Sequence, residues 1–161
     1  MDSVECKGMT EPRGIVVVGA SAGGVEALRA FCGGLPADLP GAVCVVVHIP
    51  RDGGTALPNI LNRSGPLPAA HAGDGAALEA GRVYVAPPNR HLLIRDGQLR
   101  LSHGPVENGH RPAADPLFGS ARVRGFQPTA GRYSEAAGKT IRQLIERLGD
   151  LSGGIPEDVL Q

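Results

Sequence analysis

Two β-branched runs, Gly14-Ile-Val-Val-Val-Gly19 and Ala42-Val-Cys-Val-Val-Val47, constrain this chain more than any other feature. Neither alternates apolar with polar residues, so each fits a strand buried on both faces, as in a parallel sheet. Parallel neighbours cannot be joined by a tight hairpin and need a crossover long enough for a helix. The segment between the runs supplies one: Val25, Leu28 and Phe31 share a helical face, and Gly33-Gly34 stand where a C-cap would end it. The expected unit is a right-handed βαβ. With aromatics at only 3%, its core must come from Val, Leu, Ile and Ala.

Further along, Val83-Tyr-Val85 ends at Pro87-Pro88, and Leu92-Leu-Ile94 and Leu99-Arg-Leu101 flank Asp96-Gly97, the signature of a β-hairpin. Ile141, Leu144, Ile145 and Leu148 have the spacing of an amphipathic helix followed by Gly149, whereas Val123 to Tyr133 has no clear period. A length of 161 residues at 42% hydrophobic supports one core. The expectation is a three-layer α/β fold with a mainly parallel, doubly wound sheet and an appended hairpin, with the sheet incomplete at its C-terminal side. Residues 1–13 would form a disordered tail, 14–121 the domain, and 122–161 a linker and helix.

Sixteen basic residues balance sixteen acidic ones, which gives no electrostatic case for nucleic acid or an anionic membrane surface. Cys6, Cys32 and Cys44 lack paired zinc spacing and read as reduced thiols in a cytoplasmic protein. No signal peptide or membrane span is expected. Gly138-Lys139-Thr140 resembles the end of a P-loop, but Tyr133 stands where the upstream glycine belongs and no strand precedes it. No cofactor or metal is expected, since His71, His91, His103 and His110 lack ligand spacing.

Gly19-Ala20-Ser21-Ala22-Gly23 satisfies G-x-S-x-G between an expected strand and helix, the setting in which a sharp turn exposes a serine oxygen. Ser21 is the candidate nucleophile, and the amides of Ala22 and Gly23 at the helix start are candidate oxyanion donors. The competing reading is a glycine-rich phosphate-binding turn, for which the serine is incidental. That reading wants an acidic residue closing the second strand. His48 stands there instead, at the edge where Ser21 emerges, and is the candidate base.

Four ordered blocks together resemble the catalytic domain of CheB-type protein-glutamate methylesterases. They are Val-Val-Gly-Ala-Ser21-Ala-Gly-Gly, Val-Val-His48-Ile-Pro, Gly81-Arg-Val-Tyr-Val-Ala-Pro-Pro-Asn-Arg-His91-Leu, and Asn108-Gly-His-Arg-Pro-Ala-Ala-Asp-Pro-Leu-Phe118. The resemblance covers about Gly14 to Ala121. It implies that Ser21 attacks a methyl ester of a chemoreceptor glutamate, that His48 serves as base and then acid, and that receptor glutamines are deamidated at the same site. The implied partner is the cytoplasmic domain of a methylated chemoreceptor, without direct membrane insertion.

One part of the family pattern is missing. The triad aspartate would lie in a motif resembling G-M-x-x-D-G downstream of the Asp-Pro-Leu-Phe block, and this sequence has none. Asp115, Asp52 and Asp74 are candidate substitutes, of which only Asp115 lies in a matching block, where an Asp-Pro step is also an ordinary helix-start device. Arg111 is either a substrate-facing residue or a loop ion-pair partner. The missing segment raises the alternative of an inactive module that acts by binding a partner, and an open sheet edge would favour self-association. Only the residues before Gly14 precede the first strand, too few for the receiver domain that commonly precedes this domain in the family.

Overall fold

The computed structural model describes Pro12, residues 14–48 and 56–106, Gly109 and residues 111–122, without the side chains of Ser21, Ala22, Phe118 and Arg122. The rest of the expected N-terminal tail and the helix over Ile141–Leu148 lie outside the described residues.

The β-branched run forms β1 (Ile15–Ser21), a 3₁₀ turn follows over Ala22–Gly24, and α1 (Val25–Gly34) leads to β2 (Ala42–His48). Next come α2 (Leu57–Ser64), β3 (Ala69–His71), β4 (Val83–Val85), the hairpin strands β5 (His91–Arg95) and β6 (Gln98–Ser102), and α3 (Ala114–Arg122). Four parallel strands lie in the order β1-β2-β4-β3. As expected, β1, α1 and β2 form a βαβ unit. The period-based reading leaves α2 and β3 unassigned, although Pro58 in the first turn of α2 is a helix-start signal.

The sheet separates two apolar layers because successive side chains of a strand point to opposite faces. On one face Val16, Val18, Val43, Val45, Val83 and Val85 pack with Leu28, Phe31, Leu57 and Leu61 of α1 and α2. On the other, Ile15, Val17, Cys44, Val46 and Tyr84 pack with Leu92, Ile94 and Leu99 of the hairpin and Leu117 and Ala121 of α3. Helices therefore cover both faces, the doubly wound arrangement expected. Fully burying side chains of this size is worth about 1.5–3 kcal/mol each, so the two valine-rich runs anchor both layers at once.

Gly33 and Gly34 belong to the last turn of α1, and Leu35 beyond them is extended (φ −76°, ψ 139°). The expected glycine C-cap is thus corrected: the helix ends without a left-handed residue. The glycines serve packing instead. A Cβ on Gly33 would stand 2.9 Å from the Ser64 carbonyl oxygen, and one on Gly65 would fall on the Cys32 carbonyl. Missing side chains let the ends of α1 and α2 meet backbone to backbone.

The hairpin turns at Asp96 and Gly97, both with positive φ (54° and 70°), and Arg95 faces Gln98 across it. Two such residues make the tight mirror-image turn that matches strand twist. On the outer edge of β5, the Ile94 amide donates to Ser120 Oγ of α3 at 3.0 Å, and that hydroxyl donates to the Leu117 carbonyl at 2.9 Å.

Candidate active site

Ser21 is the last residue of β1 and His48 the last of β2, and the parallel register pairs them directly. Both therefore stand at the carboxyl edge of the sheet, where open α/β folds form their sites. The chain turns sharply after Ser21, with Ala22–Gly24 in a 3₁₀ turn before α1 begins at Val25. A Cβ on Gly24 would lie 3.0 Å from that of Ala20, so the closeness of strand end and helix start depends on small residues. The amides of a helix's first turn have no carbonyl four residues back to accept them, and Ala22 and Gly23 occupy the approach to that turn. Their role as oxyanion donors remains a proposal.

His48 is half-buried. It follows Cys44 and Val46 at even spacing, which places it on the face covered by the hairpin and α3. The Ser21 hydroxyl, on which the expected contact with His48 depends, lies outside the described residues. So does Asp52.

The other candidate acids are placed differently. Asp74 Oδ1 accepts the Leu101 amide at 3.1 Å and braces β6. Asp115 is exposed in the first turn of α3, where a carboxylate favourably meets the positive end of the helix dipole.

Beside β2, β4 leaves the same edge: Val85 pairs with Val45, and the Ala86 amide donates to the Val45 carbonyl at 2.9 Å. Pro87, Pro88 and Asn89 then turn the chain away, Asn89 with φ 61°. Asparagine tolerates that conformation better than most residues. Its Oδ1 accepts from Arg111 Nε at 3.0 Å and Nη2 at 2.9 Å. Arg111 Nη1 donates to the carbonyls of Gly104 at 3.1 Å and His103 at 3.4 Å. The guanidinium is thus locked onto the loop that bounds this edge.

Below it, His91 is 3% exposed and takes the Ala113 amide on Nδ1 at 3.2 Å, with Nε2 2.7 Å from the Pro105 carbonyl. A ring that accepts at Nδ1 must carry its proton on Nε2, so His91 donates to Pro105. Sequence reasoning missed both Asn89 and the bridging role of His91. The one local signal was an asparagine after Pro-Pro at a turn.

The CheB methylesterase family model matches residues 16–128. A protein-glutamate methylesterase/protein-glutamine glutaminase of Anaeromyxobacter dehalogenans is 46% identical over 140 residues, covering 86% of this chain and 41% of that protein. One from Xanthomonas campestris pv. campestris is 38% identical over 139 residues, covering 83% of this chain and 38% of its own length. The crystal structure of the Thermotoga maritima CheB methylesterase catalytic domain superposes with a TM-score of 0.66 at 27% identity, over 82% of this chain and 75% of that one. The chain thus spans about two fifths of the length of the curated relatives it matches. With a family model over most of its length, relatives near 40% identity and a fold shared with a solved catalytic domain, the chain belongs to the CheB methylesterase family.

Proposed function

We propose that this chain is a serine-type ester hydrolase acting on glutamate methyl esters of chemoreceptors, and on receptor glutamines, in the cytoplasm. The carrying observation is the register of Ser21 with His48 at the carboxyl ends of adjacent parallel strands. The Ser21 oxygen attacks the ester carbonyl carbon while His48 accepts its proton. The amides of Ala22 and Gly23 take the developing oxyanion. Collapse breaks the bond to methoxide, which leaves as methanol with the proton from His48. Water, deprotonated by His48, then releases the acyl group as a free carboxylate. For a glutamine the same sequence expels ammonia.

Methanol release from methylated receptor tests this reading, with Ser21→Ala and His48→Gln as controls. Either variant is expected to lower turnover by about 10⁴-fold or more, since members of such a unit fail together. Release unaffected by Ser21→Ala would overturn the assignment. A second reading, an inactive module that binds a partner, is favoured by two of the three candidate acids: Asp74 is committed to Leu101, and Asp115 is exposed at a helix start. An Asp115→Ala variant with unchanged turnover would remove Asp115 as the orienting acid.

The receptor's cytoplasmic domain is the proposed partner, and no helix among the described residues is long and apolar enough to cross a membrane. Self-association is proposed as well, because among the described residues β1 pairs on one side only.

A further inference from the structure

Arg111 is held in an unusual way for a half-buried cation. Among the described residues its acceptors are all neutral: the amide oxygen of Asn89 and the main-chain carbonyls of His103 and Gly104. Among the described residues the ion pairs are Arg29 with Glu26 and Arg82 with Glu79, and neither involves Arg111. The cage therefore fixes the orientation of the guanidinium without cancelling its charge. An aspartate at position 89 would hold the same geometry and neutralise it; an asparagine does not. Of the five N–H groups of an arginine, the described residues engage four, which leaves one Nη2 hydrogen without an acceptor among them.

Asn89 lies four residues beyond Val85, and His48 three residues beyond Val45, its register partner on the adjacent strand. β2 and β4 are parallel neighbours, so the Asn89 turn follows β4 at the same carboxyl edge of the sheet that carries Ser21 and His48. A planar cation with a free donor in a partly desolvated setting is matched by a carboxylate, which gains a charge-assisted hydrogen bond and relieves the uncompensated charge.

We propose that Arg111 is a specificity residue that takes the carboxylate of an acidic side chain flanking the target residue of the substrate, so that acidic peptide segments are preferred. This rests on the reading of Ser21 and His48 as the hydrolytic site. Asn89 acts through Arg111 as its positioning residue.

The test is fluorescence anisotropy with the full chain at low salt, using labelled helical peptides that carry one target glutamine. One peptide has glutamates one helical turn to either side of the target, and its control has glutamines there. The wild type is expected to bind the glutamate-flanked peptide about tenfold tighter, the scale of one hydrogen bond to a charged group, with the preference shrinking as salt is raised. Arg111→Gln should erase the preference and Arg111→Lys should keep part of it. A purely structural Arg111 would instead weaken both peptides equally on substitution. Equal binding of the two peptides by the wild type, or binding of neither, overturns the proposal without recourse to any variant. A third peptide, with glutamate at the target and glutamines flanking, checks the other source of a carboxylate. A preference that follows the target position would also overturn it. Methanol release by the wild type and by Ser21→Ala reports on the hydrolytic reading separately, so failure of one is distinguishable from failure of the other.

Discussion

At the scale of single residues, the polar side chains of this fold divide between holding loops and standing at the sheet edge, and His91 belongs to the first group. Buried at 3% exposure, it joins the segment after β6 to the start of α3 through Pro105 and Ala113. His91→Phe keeps the bulk and removes both bonds, which strands the amide of buried Ala113 and returns the carbonyl of exposed Pro105 to water. The expected loss is about 1–3 kcal/mol, the cost of one buried group left without a partner. Urea unfolding measures it, and an unchanged midpoint would show that the bridge adds nothing. The thiols behave differently. Burial pushes Cys32 up to about 11 and Cys44 up to about 12 from an ordinary value of 9.0. The folded chain then keeps protons that the unfolded chain gives up above pH 9, so this contribution to stability is complete below pH 9 and is lost as pH climbs toward 12. Thermal midpoints measured from neutral pH upward should fall less steeply for a Cys32→Ala, Cys44→Ala variant than for the wild type. In the native chain, neither thiol should react with a thiol reagent near pH 8. The reactive-looking positions were legible in the sequence because Ser21 and His48 each end a β-branched run. His91 and Asn89 were not, because their partners lie 14 to 22 residues away and only folding brings them together.

At the scale of elements, glycine carries opposite meanings in different settings, and substitution separates them. Gly65 approaches α1 so closely that any side chain would meet the Cys32 carbonyl, so Gly65→Ala should destabilise by about 1–3 kcal/mol through overpacking. Gly119 sits inside α3 with open space where its Cβ would be. Gly119→Ala should stabilise by about 0.5–1 kcal/mol, the usual helix preference for alanine. Thermal unfolding of the two variants should move in opposite directions, and movement in the same direction would count against this account of how the helices pack. The hairpin was readable because Asp96-Gly97 encodes its own turn. The end of α1 was misread because Gly33-Gly34 has the composition of a cap, while its function depends on α2, which is not local in sequence.

At the scale of the whole molecule, the sheet has a strand buried on both faces, β1, at one side of its described part. Its residues, Ile-Val-Val-Val-Gly-Ala-Ser, include no charge, proline or bulge of the kind that blunts natural edges. Self-association through this side predicts a mass that rises with protein concentration in light scattering, whereas a single-chain mass throughout a wide concentration range would exclude it. The same strand ends at Ser21, so pairing along β1 and the candidate chemistry would be coupled. Methanol release per chain should then change with concentration if association occurs, and should be constant if it does not.

The sequence by itself determined the βαβ unit, the hairpin and the placement of a serine and a histidine at strand ends, because hydrophobic period and turn chemistry act between near neighbours. Tertiary structure alone decided that β4 inserts between β2 and β3, that glycines join α1 to α2, and that Arg111 is caged by neutral acceptors. Each of these depends on close packing between segments far apart in the chain, which no local pattern encodes.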